Sequence, residues 1–127
     1  MQVEALMQFK VNEAVIQTSV DALNIMKKDL VQFTLEQKER HDPSWNKDLI
    51  EYVKTCCIRM KDKISKCRSE NQVVLEVLDQ LTEKHRTILT LFYIKGMTRK
   101  ECAEVMQFSV QYIPELKRIA LKEFERR

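Results

Sequence analysis

The sequence is poor in turn-forming residues, with one glycine, Gly96, and two prolines, Pro43 and Pro114, in 127 residues. A sheet protein reverses every ~8 to 12 residues and could hardly be built from so few turn formers. An all-α fold is therefore expected, of a size for one domain or two small abutting ones. Histidine is equally scarce. His41 and His85 are the only two, and neither stands at catalytic spacing from a cysteine or carboxylate. With no glycine-rich phosphate loop either, the chain does not read as an enzyme. Cys56, Cys57, Cys67 and Cys102 lack CxxC spacing, and Cys56 and Cys57 diverge on any helix. They read as reduced, mostly buried apolar residues, so neither a metal nor a cofactor is expected. The sequence has no apolar run of about eighteen residues. Its N-terminus lacks the basic, apolar, small-residue order of a signal peptide. A soluble cytoplasmic protein with no membrane partner is the expectation.

Net charge is only +3, too small by itself to argue for a nucleic-acid partner. Its distribution says more. Residues 82–127 hold ten Lys or Arg against six Glu, a net of +4, which leaves −1 for residues 1–81.

From Val3 to about Lys38 no glycine or proline interrupts the chain. Phe9, Ile16, Leu23 and Leu30 recur every seventh residue, flanked by Leu6, Val20, Met26 and Phe33. That spacing predicts one long amphipathic helix. The charged stretch Glu39–Ser44, with Asp42-Pro43 inside it, suits a reversal. A second pattern then runs Ile50, Val53, Cys57, Met60, Ile64, Cys67, Asn71, Val74, Leu78, Leu81, in alternating steps of three and four. It predicts a second long helix packed antiparallel on the first. Asn71 is its one polar member. Ser69-Glu70-Asn71-Gln72 reads either as a break or as a seam where Asn71 sets register. Residues 1–81 thus form a helical hairpin. It serves as a packing scaffold or as a dimerisation or polymerase-contacting arm. Flanking apolar residues such as Val15, Val31, Leu35 and Trp45 need cover, which makes a homodimer through residues 1–81 a further expectation.

Residues 82–127 read as a three-helix domain, Thr82 to about Lys95, Thr98 to about Met106, and Ser109 to about Phe124. Each helix opens with a hydroxyl residue suited to capping. Thr98 with Glu101 makes a capping-box pattern, and Gly96 suits the left-handed residue that closes the helix before it. Only Gln107 and Phe108 separate Met106 from Ser109. So short a link forces the steep crossing of a helix-turn-helix. Ala103 is the small residue at the crossing. Cys102, Met106, Phe108, Ile113, Leu116 and Ala120 face inward, with Ile88, Leu89, Leu91, Phe92 and Ile94 on the third side. Opposite them lie Gln111, Glu115, Arg118 and Lys122. Glutamine suits adenine, arginine guanine, and glutamate the cytosine amino group. Gln111, Tyr112, Glu115 and Arg118 are accordingly the expected base readers. Thr98, Arg99, Lys100, Ser109, Lys117 and Lys122 are the expected phosphate contacts.

Leu81-Thr82-Glu83-Lys84-His85-Arg86-Thr87-Ile88-Leu89, then Phe92-Tyr93-Ile94-Lys95-Gly96-Met97-Thr98 and Glu101-Cys102-Ala103-Glu104-Val105-Met106, resembles region four of bacterial sigma factors. In that family this domain reads the promoter element near minus thirty-five. Phe108-Ser109-Val110-Gln111-Tyr112-Ile113, followed by Leu116-Lys117-Arg118-Ile119-Ala120-Leu121, is similar to the small sigma-like regulators of phages and mobile elements, including the ArpU type of late-gene regulator. The resemblance implies a bacterial or phage-encoded transcription regulator that binds double-stranded DNA and contacts RNA polymerase. It covers the last third of the chain. Two alternatives stand beside it, an adaptor or anti-activator that reuses the helix-turn-helix, and a small phage DNA-packaging subunit. Two residues depart from the family pattern. Gln107 stands where glycine is usual in the turn. Pro114, inside a helix capped at Ser109, would cost up to about 3 kcal/mol, so that helix either kinks or begins later.

Overall fold

The structure, a computed structural model, describes all of residues 1–127 and is entirely helical. Helix α1 spans Val3–Arg40 and α2 spans Lys47–Asp79. The short α3, Glu83–Leu89, continues as a π-helical stretch, Thr90–Ile94, and α4, Arg99–Met106, and α5, Ile113–Glu125, follow. The chain makes two compact units, Glu13–Arg68 and a second that joins Met1–Asn12 to Ser69–Arg127.

In the Glu13–Arg68 unit α1 and α2 pack through the stripes their sequences lay out. Leu23, Cys57 and Ile64 are buried, with Ile16, Val20, Met26, Leu30, Val53 and Met60 half-buried around them. The reversal lies at His41–Asn46, where His41 (φ 52°) and Asn46 (φ 58°) both take left-handed backbone. Side chains hold this turn. The Asp42 carboxylate accepts from the Ser44 amide at 3.0 Å and from its hydroxyl at 2.6 Å, which holds the carboxyl below its ordinary value. Gln37 donates to the Pro43 carbonyl at 3.1 Å, and the Arg40 guanidinium lies 3.7 Å over the Trp45 ring.

The other unit is built around the C-terminal helices. Its core combines Ile88, Leu89, Cys102, Ala103, Ile113, Leu116, Ala120 and Phe124 with Leu6 and Phe9 of α1 and Val74, Val77, Leu78 and Leu81 at the end of α2. Residue 81, where the sequence suggests a domain boundary, lies inside this unit. Three short helices bury too little on their own. The first turns of α1 and the last turns of α2 complete the enclosure.

Helix α2 runs unbroken through Ser69–Gln72, so Asn71 is a seam residue and not a break. Its partner is Asn12, a polar residue that the apolar pattern of α1 does not mark. Both are buried. Asn12 Nδ2 donates to Asn71 Oδ1 at 3.0 Å and to Glu70 Oε2 at 3.1 Å. Asn71 Nδ2 donates in turn to the Phe9 carbonyl at 3.2 Å. A slip in register would leave these groups unpaired in an apolar seam, a penalty that sets the alignment of the two helices here. Asn71→Ala should therefore lower stability by about 1–3 kcal/mol. Asn12→Ala added to it should cost much less than it does alone, because the two share one network. Urea denaturation of the two single variants and the double variant checks this. Strict additivity would mean that the amides are not coupled.

Candidate nucleic-acid interface

The C-terminal helices are held at their ends by side chains distant in sequence. Helix α3 is preceded by Thr82, whose hydroxyl, contrary to the sequence expectation, makes no capping bond of its own. The cap comes from α5. The Glu123 carboxylate accepts from the Thr82 amide at 2.7 Å and from its hydroxyl at 3.1 Å, and it pairs with the His85 ring. An anion at a helix N-terminus is favourable, and the contact binds α3 to α5. The Thr82 amide, followed by the bonds from His85 and the Thr82 hydroxyl, pulls the Glu123 carboxyl below its ordinary value of 4.5.

Beyond Leu89 the helix widens into the π-helical stretch, closed by the Lys95 amide on the Thr90 carbonyl at 2.9 Å. Leu91, Phe92, Tyr93 and Ile94 are all half-buried as a result. The sequence reads this segment as a plain α-helix to Lys95, with Leu91, Phe92 and Ile94 inward. Gly96, at φ +70°, ends it in the left-handed conformation anticipated.

Helix α4 opens with a complete capping box. The Thr98 hydroxyl accepts from the Glu101 amide at 3.2 Å, and the Glu101 carboxylate accepts from the Thr98 amide at 3.3 Å. Thr98 is thus committed to its cap, while Arg99 and Lys100 stand exposed. Cys102 and Ala103 are buried at the crossing. Burial raises the Cys102 thiol and the nearby Glu101 carboxylate raises it further, so it stays protonated. Gln107 takes left-handed backbone (φ 59°, ψ 41°), and the Ala103 carbonyl accepts from both the Gln107 and Phe108 amides. The strain of roughly 1–2 kcal/mol for an L-residue there is offset by these bonds, and the turn keeps the shape that glycine would give it.

The segment after the turn differs from the sequence reading. Ser109 opens a turn and not a helix, its hydroxyl accepting from the Tyr112 amide at 3.3 Å. Helix α5 starts four residues later at Ile113. Pro114 is the cause. In the first helical turn its missing N–H has no carbonyl to bond, so the interior penalty does not arise. The first helical bond joins the Leu116 amide to the Tyr112 carbonyl at 3.0 Å. Gln111 consequently sits in the turn and leaves the helix face on which the sequence puts it. Phe108, expected in the core, is exposed and packs edge-on to Tyr112 with ring centroids 5.2 Å apart.

Ile113, Leu116, Ala120 and Phe124 bury one side of α5. Glu115, Arg118 and Lys122 are exposed. Arg118 grips Glu115 one turn back, Nη2 to Oε1 at 2.5 Å and Nε to Oε2 at 3.0 Å. That grip lowers the Glu115 carboxyl. Lys117, expected as a free phosphate contact, is half-buried with its ammonium 3.7 Å from the centre of the Phe92 ring. Arg99, Lys117 and Arg118 together line an open groove of about 340 Å³ floored by Phe92, Ile113, Pro114 and Leu121. Lys84, not among the expected site residues, reaches across from α3. Its ammonium donates to the Tyr112 hydroxyl at 2.8 Å and lies 4.9 Å from both the Phe108 and Tyr112 rings.

Residues 71–112 match the family model of sigma-70, region 4. The matched segment, which ends before α5, is similar to the region of that family that forms a helix-turn-helix and, in its members, binds DNA and RNA polymerase. The match opens at Asn71, within α2, and closes at Tyr112, the residue before α5. No curated protein and no solved structure matches the chain. No helix is long and apolar enough to cross a membrane.

The Glu123 contact has a definite pH signature. A carboxyl lowered on folding adds stability that is complete above its unfolded value and vanishes as pH falls through the folded one. Glu123→Gln should cost about 1–2 kcal/mol near neutrality. The gap from the parent protein should close as pH falls from above the ordinary carboxyl value of 4.5 through the lower value of the folded state. Thermal unfolding from pH 3 to 7 measures it. A gap independent of pH would show that the carboxylate charge is not what holds α3 to α5.

Proposed function

We propose that the protein is a sequence-specific, sigma-like transcription regulator that binds double-stranded DNA through the turn 107–112 and the exposed side of α5. The match to sigma-70 region 4 over residues 71–112 carries this reading. It is supported by a recognition helix whose apolar side is fully buried while Glu115, Arg118 and Lys122 stay in water. In this reading Gln111, Tyr112, Glu115 and Arg118 face the base edges. Arg99, Lys100, Ser109 and Lys122 face phosphates, and Thr98, committed to its cap, fixes the helix start that presents Arg99 and Lys100. Lys117 serves the backbone from its seat on Phe92, and Lys84 steadies Tyr112. RNA polymerase is the second partner, as for region 4 domains generally. A regulator of this kind works at the nucleoid.

Selection from a random duplex library, followed by titration of the enriched duplex, tests the reading. Affinity should fall steeply as salt rises, because each neutralised phosphate releases counterions. An adaptor or anti-activator would enrich no duplex and show no such slope. Arg118→Ala should weaken the enriched complex by roughly 1–3 kcal/mol and relax preference at one base pair. Unchanged affinity and an unchanged selected sequence would remove Arg118 from the interface.

A further inference from the structure

The pairing of Arg118 with Glu115 is lateral. The carboxylate takes the Nε–Nη2 edge of the guanidinium through both of its oxygens, and the Nη1–Nη2 edge is left without a partner. That free edge is the fork that matches the O6 and N7 acceptors of guanine. Both side chains are about half-exposed, 52% for Arg118 and 53% for Glu115. In water so exposed a pair adds little to stability, so its worth to the fold is small. Against a duplex its value changes. Exclusion of water strengthens the attraction, and an arginine already held in one orientation has less rotamer freedom to lose on docking. The carboxylate also places one negative charge on a face that must approach phosphates. That charge penalises any register in which Arg118 finds no guanine to compensate.

Resting on the DNA-binding reading above, we infer that Glu115 is a positioning residue that sets base specificity through Arg118. It holds the guanidinium edge-on for guanine and disfavours binding to sequences that lack one there. Each of its oxygens already accepts one bond from Arg118, and its part in this inference is to orient that guanidinium and not to read a base by itself. Lys122, one helical turn beyond Arg118, is the other cation whose field acts on the Glu115 carboxylate. It adds attraction without offering a fork.

The test uses the full chain, the duplex enriched by selection, single-base variants of that duplex, and a random-sequence duplex. Glu115→Ala should bind the random duplex more tightly and lower the ratio of specific to random binding roughly five- to tenfold. In an Arg118→Ala background the same change should leave base preference untouched, since nothing remains to be positioned. Glu115→Gln should fall between the parent and Glu115→Ala. A structural role alone would move none of these ratios, and thermal unfolding of each variant checks that the fold is retained. Loss of preference at a second base pair, additive with Arg118→Ala, would overturn the inference by making Glu115 a reader in its own right. So would an unchanged ratio. Failure of the parent chain to enrich any duplex sinks both the reading and the inference, whereas enrichment with an indifferent Glu115 sinks the inference alone.

Discussion

Burial of Ile113, Leu116, Ala120 and Phe124 against Ile88, Leu89, Cys102 and Ala103 is the interaction on which the C-terminal architecture depends. Helices as short as α4 and α5 are marginal alone in water, so their existence and direction come from this packing. Each fully buried side chain of this size contributes on the order of 1.5–3 kcal/mol, far more than any surface ion pair nearby. Orientation follows from the same contact. With four apolar residues turned inward, Glu115, Arg118 and Lys122 have only the solvent side of α5 to occupy.

Polar contacts refine what packing decides. Glu123 caps α3 from α5, the Ala103 carbonyl holds the left-handed Gln107, and Lys84 pins the hydroxyl of Tyr112. Each ties a neighbouring element to the segment between α4 and α5. The approach of α5 is therefore set at both of its ends, by the turn before Ile113 and by the carboxylate at Glu123. Preorganisation of this kind lowers the ordering cost of docking on a rigid duplex.

Periodicity made much of this legible. The three-and-four steps from Ile50 to Leu81 mark the inner side of α2, and the sevenfold spacing from Phe9 to Leu30 marks that of α1. Thr98 with Glu101 announces the capping box, and Gly96 its left-handed turn. Composition could not expose Asn12, because a polar residue in an apolar stripe looks like an interruption until its partner Asn71 faces it. Pro114 signalled that an α5 beginning at Ser109 could not be regular, and the structure resolves it with a later start that leaves Gln111 in the turn. The π-helical stretch left no trace in the sequence, since Thr90–Ile94 satisfies either helix period. Lys84 with Tyr112, and Thr82 with Glu123, are separated by 28 and 41 residues. No local pattern connects them. The division of the chain into units was hidden for a similar reason, because Leu6 and Phe9 join the C-terminal core only once the chain has returned.

In the proposed function the exposed side of α5 and the turn before it are the surface that meets DNA. The most direct measurement is of backbone amide chemical shifts during titration of the full chain with a selected duplex at low salt. The changes should concentrate at Thr98–Lys100 and across Gln107–Lys122, with the amides of Glu13–Arg68 scarcely moved. Changes confined to Glu13–Arg68, or none at all, would contradict it.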